Sequence, residues 1–316
     1  MSPPENTRAP SPETVIREMV ATEGEFKLFR DLIHAHTGIA LGPHKRTLLQ
    51  ARLAKRLRTL RLTSFTEYHR HLEQDPTGEE LTHCLNAITT NKTEFFREGH
   101  HFRYLTEELV PALRTRSART GNRSVRVWSA GCSTGEEPYT IGITLLEALG
   151  GTRGWDLRIL ASDIDTEVLD RAAAGVYSLE QVAAVPRPLL ARYFLRGVGE
   201  RAGLVSVRPE LRALVRFRRI NFLEDPWPIR TRFDAIFCRN VLIYFDRPTQ
   251  QRLLERFVGL LKGDSVLFLG HSENIHGLVT GLDHIGNTIY LRHVTAHTEA
   301  GDDRPREEGS SCPQRS

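Results

Sequence analysis

The segment 126–142, RVWSAGCSTGEEPYTIG, constrains this chain most: a β-branched run passes through a glycine-bearing turn directly into a helical stretch. Units of this kind build parallel sheets covered by helices. The same rhythm continues, with strands predicted over 125–130, 157–162, 214–218, 235–238 and 265–269 and helices over 137–149, 166–174 and 249–261. A closing hairpin is expected over 284–292, where Gly286-Asn287 offers the positive φ angles of a tight turn.

Ahead of residue 125 the texture is helical throughout, with periodic segments over 25–36, 43–61, 65–74, 79–88 and 100–116. The polar stretch SARTGNRS, 117–124, reads as a linker. At 316 residues the chain is about twice the usual domain size. We therefore expect an extension over 1–22, an all-α domain over 23–116, a linker over 117–124, an α/β domain over 125–294 and a disordered tail over 295–316. The gap between the second and third strands is too long for a simple crossover, so an insert is expected over about 175–214.

No apolar run reaches the roughly 18 to 20 residues of a membrane span, and Met1 to Pro10 lacks the apolar core of a signal peptide, so a cytoplasmic protein is expected. Cys84, Cys132, Cys238 and Cys312 are too scattered for a disulfide framework or a paired zinc motif. Paired histidines (His34/His36, His69/His71, His100/His101) lack HExxH or i,i+4 spacing, so no metal is expected. With 43 basic and 39 acidic residues the net charge is only +4, too small to imply nucleic-acid binding. Its distribution is more informative. Segment 44–62 carries Lys45, Arg46, Arg52, Lys55, Arg56, Arg58 and Arg61 with no acid, while Leu49, Leu53, Leu57 and Leu60 form an apolar stripe. This predicts an amphipathic helix whose arginines form either a solvated face or a docking surface for an acidic partner.

At the first turn, Gly131 and Gly135 allow backbone to approach a ligand closely. The dinucleotide and P-loop patterns are absent, and Glu136 and Glu137 at the helix start would repel a pyrophosphate. Residues 131–135 formally match the GxSxG nucleophile elbow, which would make Ser133 a nucleophile, but the strands that precede such an elbow are missing. Asp163, at the tip of the second strand, is placed either to accept both hydroxyls of a ribose or to cap the following helix.

Together, TTNKTEFFREGHHF (89–102), SAGCSTGEEPYTI (129–141), ASDID (161–165), FDAIFCRNVLIYFD (233–246) and LGHSEN (269–274) resemble one family closely: the CheR chemotaxis receptor methyltransferases, which depend on S-adenosylmethionine. The resemblance covers about residues 26–292. It implies an all-α N-terminal domain followed by a Rossmann-like class I methyltransferase domain with a small inserted β-subdomain. It also implies the donor S-adenosylmethionine and the product S-adenosylhomocysteine. Asn91, Thr93 and Arg97 would reach over the cofactor, Gly131 would form its turn, and Glu137 and Asp163 would hold its amino-acid and ribose portions. Asn221 and Phe222 would flank the adenine, and Cys238, Arg239 and Asn240 would line the reaction site. Arg97 and Tyr244 would stand near the transferred methyl as the catalytic pair.

The implied substrate is a receptor glutamate, giving a methyl ester, and the basic helix (Arg46, Arg52, Lys55, Arg56, Arg58) would dock on the acidic coiled coil of a methyl-accepting chemoreceptor. The stretch 192–211 resembles the subdomain that binds a receptor C-terminal peptide in some members. Where amino-group methyltransferases of nucleic acids carry Asn/Asp-Pro-Pro-Tyr/Phe, this chain has Asn240-Val241-Leu242-Ile243-Tyr244, so no nucleic-acid partner is expected. Two alternatives stay open: a catalytically silent S-adenosylmethionine sensor, and a methyltransferase for RNA or small molecules.

Overall fold

The computed structural model describes residues 20–292; the expected tail and most of the expected N-terminal extension lie outside them. Helix α1 (Glu23–Thr37) opens with a capping box between Thr22 and Glu25 and stops at Gly38, whose φ of 74° lies in the left-handed region. Pro43 starts a 3-10 turn that leads into α2 (Arg46–Leu60). Two further helices, α3 (Phe65–Glu73) and α4 (Glu79–Ile88), complete the N-terminal domain. Its core gathers Phe26, Phe29 and Ile33 with Leu49, Leu53, Leu57, Phe65 and Tyr68, and Leu60 is only partly buried at its edge.

The chain then crosses through residues 89–99 to α5 (His100–Tyr104), a π-helical segment (Leu105–Leu109) and α6 (Val110–Thr120). Helix α6 runs through half of the stretch expected as a linker, ending at Gly121. Phe102, Leu105, Leu109 and Leu113 pack with Val125 and Val127, so residues 100–120 belong physically to the α/β core.

Strands β1 (Ser124–Ala130), β2 (Asp156–Asp163), β6 (Val215–Arg219), β7 (Phe233–Cys238), β8 (Leu261–Leu269), β9 (Leu282–Gly286) and β10 (Ile289–Arg292) form one sheet in the order β6-β2-β1-β7-β8-β10-β9. The first five are parallel, and β10 runs antiparallel between β8 and β9. Alternation with period two sends Val127, Phe237 and Phe268 to one core and Trp128, Ile236 and Leu267 to the other. Strand β7 is buried along its whole length, as a central parallel strand requires.

Helices α7 (Glu136–Leu149) and α8 (Thr166–Ala174) link the first strands, and α11 (Arg247–Leu260) precedes β8. Between α8 and β6 lie α9 (Arg187–Tyr193), α10 (Pro209–Arg212) and a separate antiparallel sheet, β3-β5-β4, made of Val176–Ser178, Leu204–Val207 and Phe194–Arg196. The molecule is thus an α/β protein with an all-α N-terminal domain and an inserted β-subdomain.

Candidate functional site

In a doubly wound sheet, ligands bind beyond the carboxyl ends of the strands, where the strand order reverses. Here the order reverses between β1 and β7. A cavity of about 580 Å³ opens at that point, with the N-terminal domain and residues 88–97 forming its opposite wall. Such a volume is in the range of cofactor sites.

The first turn is set by backbone. Gly131 has φ +86°, and a Cβ there would lie 2.4 Å from Val241 Cγ2. Gly131 N and Cys132 N both donate to Ser162 O, at 2.8 and 2.9 Å. The Ser133 hydroxyl donates to the Asn91 carbonyl at 3.0 Å rather than to a base, so the turn is not arranged as a nucleophile elbow.

Two carboxylates line the cavity from the sheet side, Glu137 and Asp163. Asp163 accepts from Ser133 N at 2.8 Å and Asp165 N at 3.1 Å, one bond to each oxygen, which leaves acceptor capacity for a ligand. Burial pushes its carboxyl above the usual range, against the pull of those backbone bonds. Glu137 accepts from Ser129 Oγ at 2.7 Å and faces Arg239 Nη1 at 3.2 Å. Burial raises it too, and Arg239 and Ser129 offset only part of that effect. Two desolvated anions of this kind favour a ligand that offers a cation at one end and hydroxyl donors at the other. The amino and ribose portions of S-adenosylmethionine match that pattern.

The crossing segment is strapped down rather than loose. The Asn91 amide donates to Asp165 at 2.8 Å and Thr89 Oγ1 donates to Asp165 at 2.6 Å, so the Asn91 side chain serves the strap while its residue lines the cavity. Thr93 and Arg97 also line it, and Arg97 Nη1 holds the Lys92 carbonyl at 3.0 Å. Tyr244 and Asn240 face the same space, and Asn240 adopts φ +59°.

Several expected residues sit differently. Asn221 lines the cavity, but its amide nitrogen donates to His36 O at 2.6 Å, so it ties the two domains together instead of presenting that donor to a base. Phe222 borders the cavity with most of its ring in an aromatic cluster with Trp128, Trp227 and Phe257. Cys238 does not line the cavity: strand alternation turns it into the core with Ile236 and Leu267, and burial pushes its thiol far up. Arg239 borders the cavity with its side chain almost fully buried in the wall, where it bridges Glu137, Glu98 at 3.4 Å and the Arg97 carbonyl at 2.5 Å.

The basic helix divides as well. Lys45, Lys55, Arg58 and Arg61 are exposed and Arg46 is half-buried. Arg52 is turned toward the strap, donating to Ile88 O, Thr89 O and Thr90 Oγ1. Arg56 pairs with the buried Glu80, which also accepts from Tyr68. Neither Arg52 nor Arg56 is a free docking charge.

Sequence reasoning passed over Glu98 and Glu273. Glu98 gathers Arg239, His101 and His271. With His100 and His101 it forms the one group among the described residues whose ligand atoms lie close enough for a metal, within 4.8 Å, but Arg239 sets a positive charge against any cation there. Glu273 sits inside the quoted LGHSEN motif, and nothing in that string says which backbone it meets.

Comparison with known proteins matches the chain to two family models: "CheR methyltransferase, all-alpha domain" over residues 24–89 and "CheR methyltransferase, SAM binding domain" over residues 91–291. The chain is 49% identical to "Chemotaxis protein methyltransferase 2" of Pseudomonas aeruginosa, over 90% of this chain and 98% of that protein. It is 46% identical to "Chemotaxis protein methyltransferase" of Salmonella typhimurium, over 87% and 92% respectively, and 45% identical to the Escherichia coli protein of that name, over 86% and 92%. With both halves of the family matched in order, and with a cavity whose carboxylates suit S-adenosylmethionine, this chain belongs to the CheR family of S-adenosylmethionine-dependent chemotaxis methyltransferases.

Proposed function

We propose that this enzyme methylates glutamate side chains on the cytoplasmic coiled coil of a methyl-accepting chemoreceptor. When bound, S-adenosylmethionine supplies an electrophilic methyl on a sulfonium and leaves as S-adenosylhomocysteine. The observation that carries the reading is the placement of Arg97 and Tyr244 on the same cavity as Glu137 and Asp163. Glu137 would hold the α-amino group and Asp163 the ribose, which fixes the far end of the cofactor. Arg97 and Tyr244 would then orient the incoming carboxylate. A glutamate side chain, with a reference pKa of about 4.3, is already ionised at neutral pH, so no general base is needed. Alignment and exclusion of water therefore supply the rate.

Docking rests on charge. Lys45 lines the cavity rim, and Lys55 and Arg58 continue the exposed basic face of α2, suited to an acidic helix surface. The open edge of the small β3-β5-β4 sheet, with Leu195 41% and Val198 81% exposed nearby, suits an added peptide strand from the receptor's C-terminus.

The test is transfer of radiolabelled methyl to chemoreceptor-containing membranes, followed by alkali treatment and assay of volatile methanol. Alkali-labile label that disappears when the receptor's methylatable glutamates are replaced by alanine is the expected result. Alkali-stable label on RNA, or cofactor binding with no transfer, would overturn it.

A further inference from the structure

The loop that carries Asn240 and Tyr244 has an unusual backbone and needs something to hold it. Asn240 adopts φ +59°, and the chain then enters a single 3-10 turn, Leu242–Tyr244. The N–H groups of Asn240, Val241 and Ile243 point inward, to one side chain. Glu273 Oε2 accepts from Asn240 N at 2.8 Å and Gly270 N at 2.6 Å, while Oε1 accepts from Val241 N at 2.8 Å and Ile243 N at 3.3 Å. Glu273 is 4% exposed. Four backbone donors from two separate loops therefore converge on one buried carboxylate, which uses about all of its acceptor sites.

Two glycines make room for this arrangement. A Cβ on Gly270 would lie 2.3 Å from Asn240 Nδ2, and a Cβ on Gly131 would lie 2.4 Å from Val241 Cγ2. The loop is laid against bare backbone on both sides and fastened from beneath. No lining side chain could make the same bonds, because Glu273 is held behind the cavity wall, one turn past the end of β8.

We propose that Glu273 is a positioning residue for methyl transfer: its carboxylate fixes the 240–244 backbone and so sets where Asn240 and Tyr244 stand in the cavity. The inference rests on the reading of Tyr244 as a substrate-facing group. Glutamine at 273 keeps the shape but turns an NH₂ toward two N–H donors, so it loses two bonds and adds a repulsion. A displacement of order 1 Å at the reacting groups costs about a hundredfold in rate.

The experiment is a double-mutant cycle on the full-length enzyme with receptor membranes, using Glu273→Gln, Tyr244→Phe and the pair. Calorimetric binding of S-adenosylmethionine confirms that each protein is folded. We expect E273Q to lower kcat by about a hundredfold with the receptor KM within about threefold of wild type, since the four bonds of Glu273 go to Asn240, Val241, Ile243 and Gly270 and none to a basic residue of α2. Adding Tyr244→Phe to E273Q should then cost far less than it does alone, because the two act as a unit. If the two losses multiply, or E273Q turns over at the wild-type rate while Y244F is slow, the positioning role is wrong and the reading of Tyr244 stands. A wild-type rate in Y244F overturns both. If E273Q does not fold, amide hydrogen exchange on the wild type decides: the Asn240 and Val241 amides should exchange at least about a hundredfold more slowly than free amides, and rapid exchange would sink the proposal.

Discussion

Glu137 and Arg239 stand 3.2 Å apart with side chains only 13% and 2% exposed, so the carboxylate assigned to the cofactor's amino group already has a fixed cationic partner. Replacing Glu137 with glutamine removes the anion and leaves Arg239 to Glu98. Loss of one charge-assisted bond, about 1.5 to 3 kcal/mol, should weaken S-adenosylmethionine binding by about 10- to 150-fold in calorimetry. Binding of 5′-methylthioadenosine, which lacks the amino-acid portion, should be unchanged. Because burial raises the Glu137 pKa and a bound ammonium requires the anion, wild-type affinity should fall as pH drops into that raised range. E137Q should lack that acid limb.

Gly131→Ala forces a side chain onto φ +86° and a methyl group to 2.4 Å from Val241. Backbone strain of about 1 to 3 kcal/mol and displacement of the 240–244 loop should follow. Thermal denaturation should show the lower stability, and cofactor binding should weaken more than the stability loss alone explains.

Basic residues one or two positions apart on the same helix should behave oppositely. Lys55→Glu with Arg58→Glu changes only exposed charges, so it should leave the melting temperature and cofactor affinity near wild type while raising the receptor KM several-fold, most strongly at low salt. Arg56→Glu strips the partner from buried Glu80 and should destabilise by about 3 to 5 kcal/mol. Urea titration separates the two outcomes.

His101 is 0% exposed, and burial, helped by Arg239 and His100 and opposed by Asn287 O and Glu98, pushes its pKa down to about 3. The unfolded chain takes up a proton near the ordinary histidine value of about 6.5, so between there and about pH 3 the unfolded state binds more protons. Stability should therefore fall on acidification through this window, by up to about 1.4 kcal/mol per pH unit for one proton. Urea midpoints from pH 7 to 5 should show a shallower slope in His101→Gln than in wild type.

Local rules reached much of this molecule. The 3.6 period marked α4 and α8 at their observed ends, and Gly286-Asn287 marked the final hairpin, where Gly286, Asn287 and Thr288 all have positive φ. Strand ends pointed to Gly131 and Asp163 because the carboxyl edge of a parallel sheet is where a ligand must sit, whereas the role of Glu137, one residue into α7, came from the family resemblance. Long-range partners were not legible. Nothing near Asn221 in sequence announces His36, 185 positions away, nor does the basic string around Arg56 reveal Glu80. The direction of Cys238 was in principle readable from strand alternation, since Ile236 shares its face. The polar run 117–124 read as a linker because composition alone does not reveal that Arg116 anchors α6 to Asp234 on β7.

The strap over residues 89–97 bears on how such enzymes can exchange parts. The boundary between the two matched family models falls at residues 89 to 91, in the middle of one wall of the cavity, where Thr89, Asn91, Asp165 and Ser133 are hydrogen-bonded together. A recombination joint placed there would graft a foreign N-terminal domain onto half a wall. Exchange of the N-terminal domain between relatives should keep cofactor binding only when the transplanted segment runs through Arg97, so that the domain travels with the part of the chamber it helps to build.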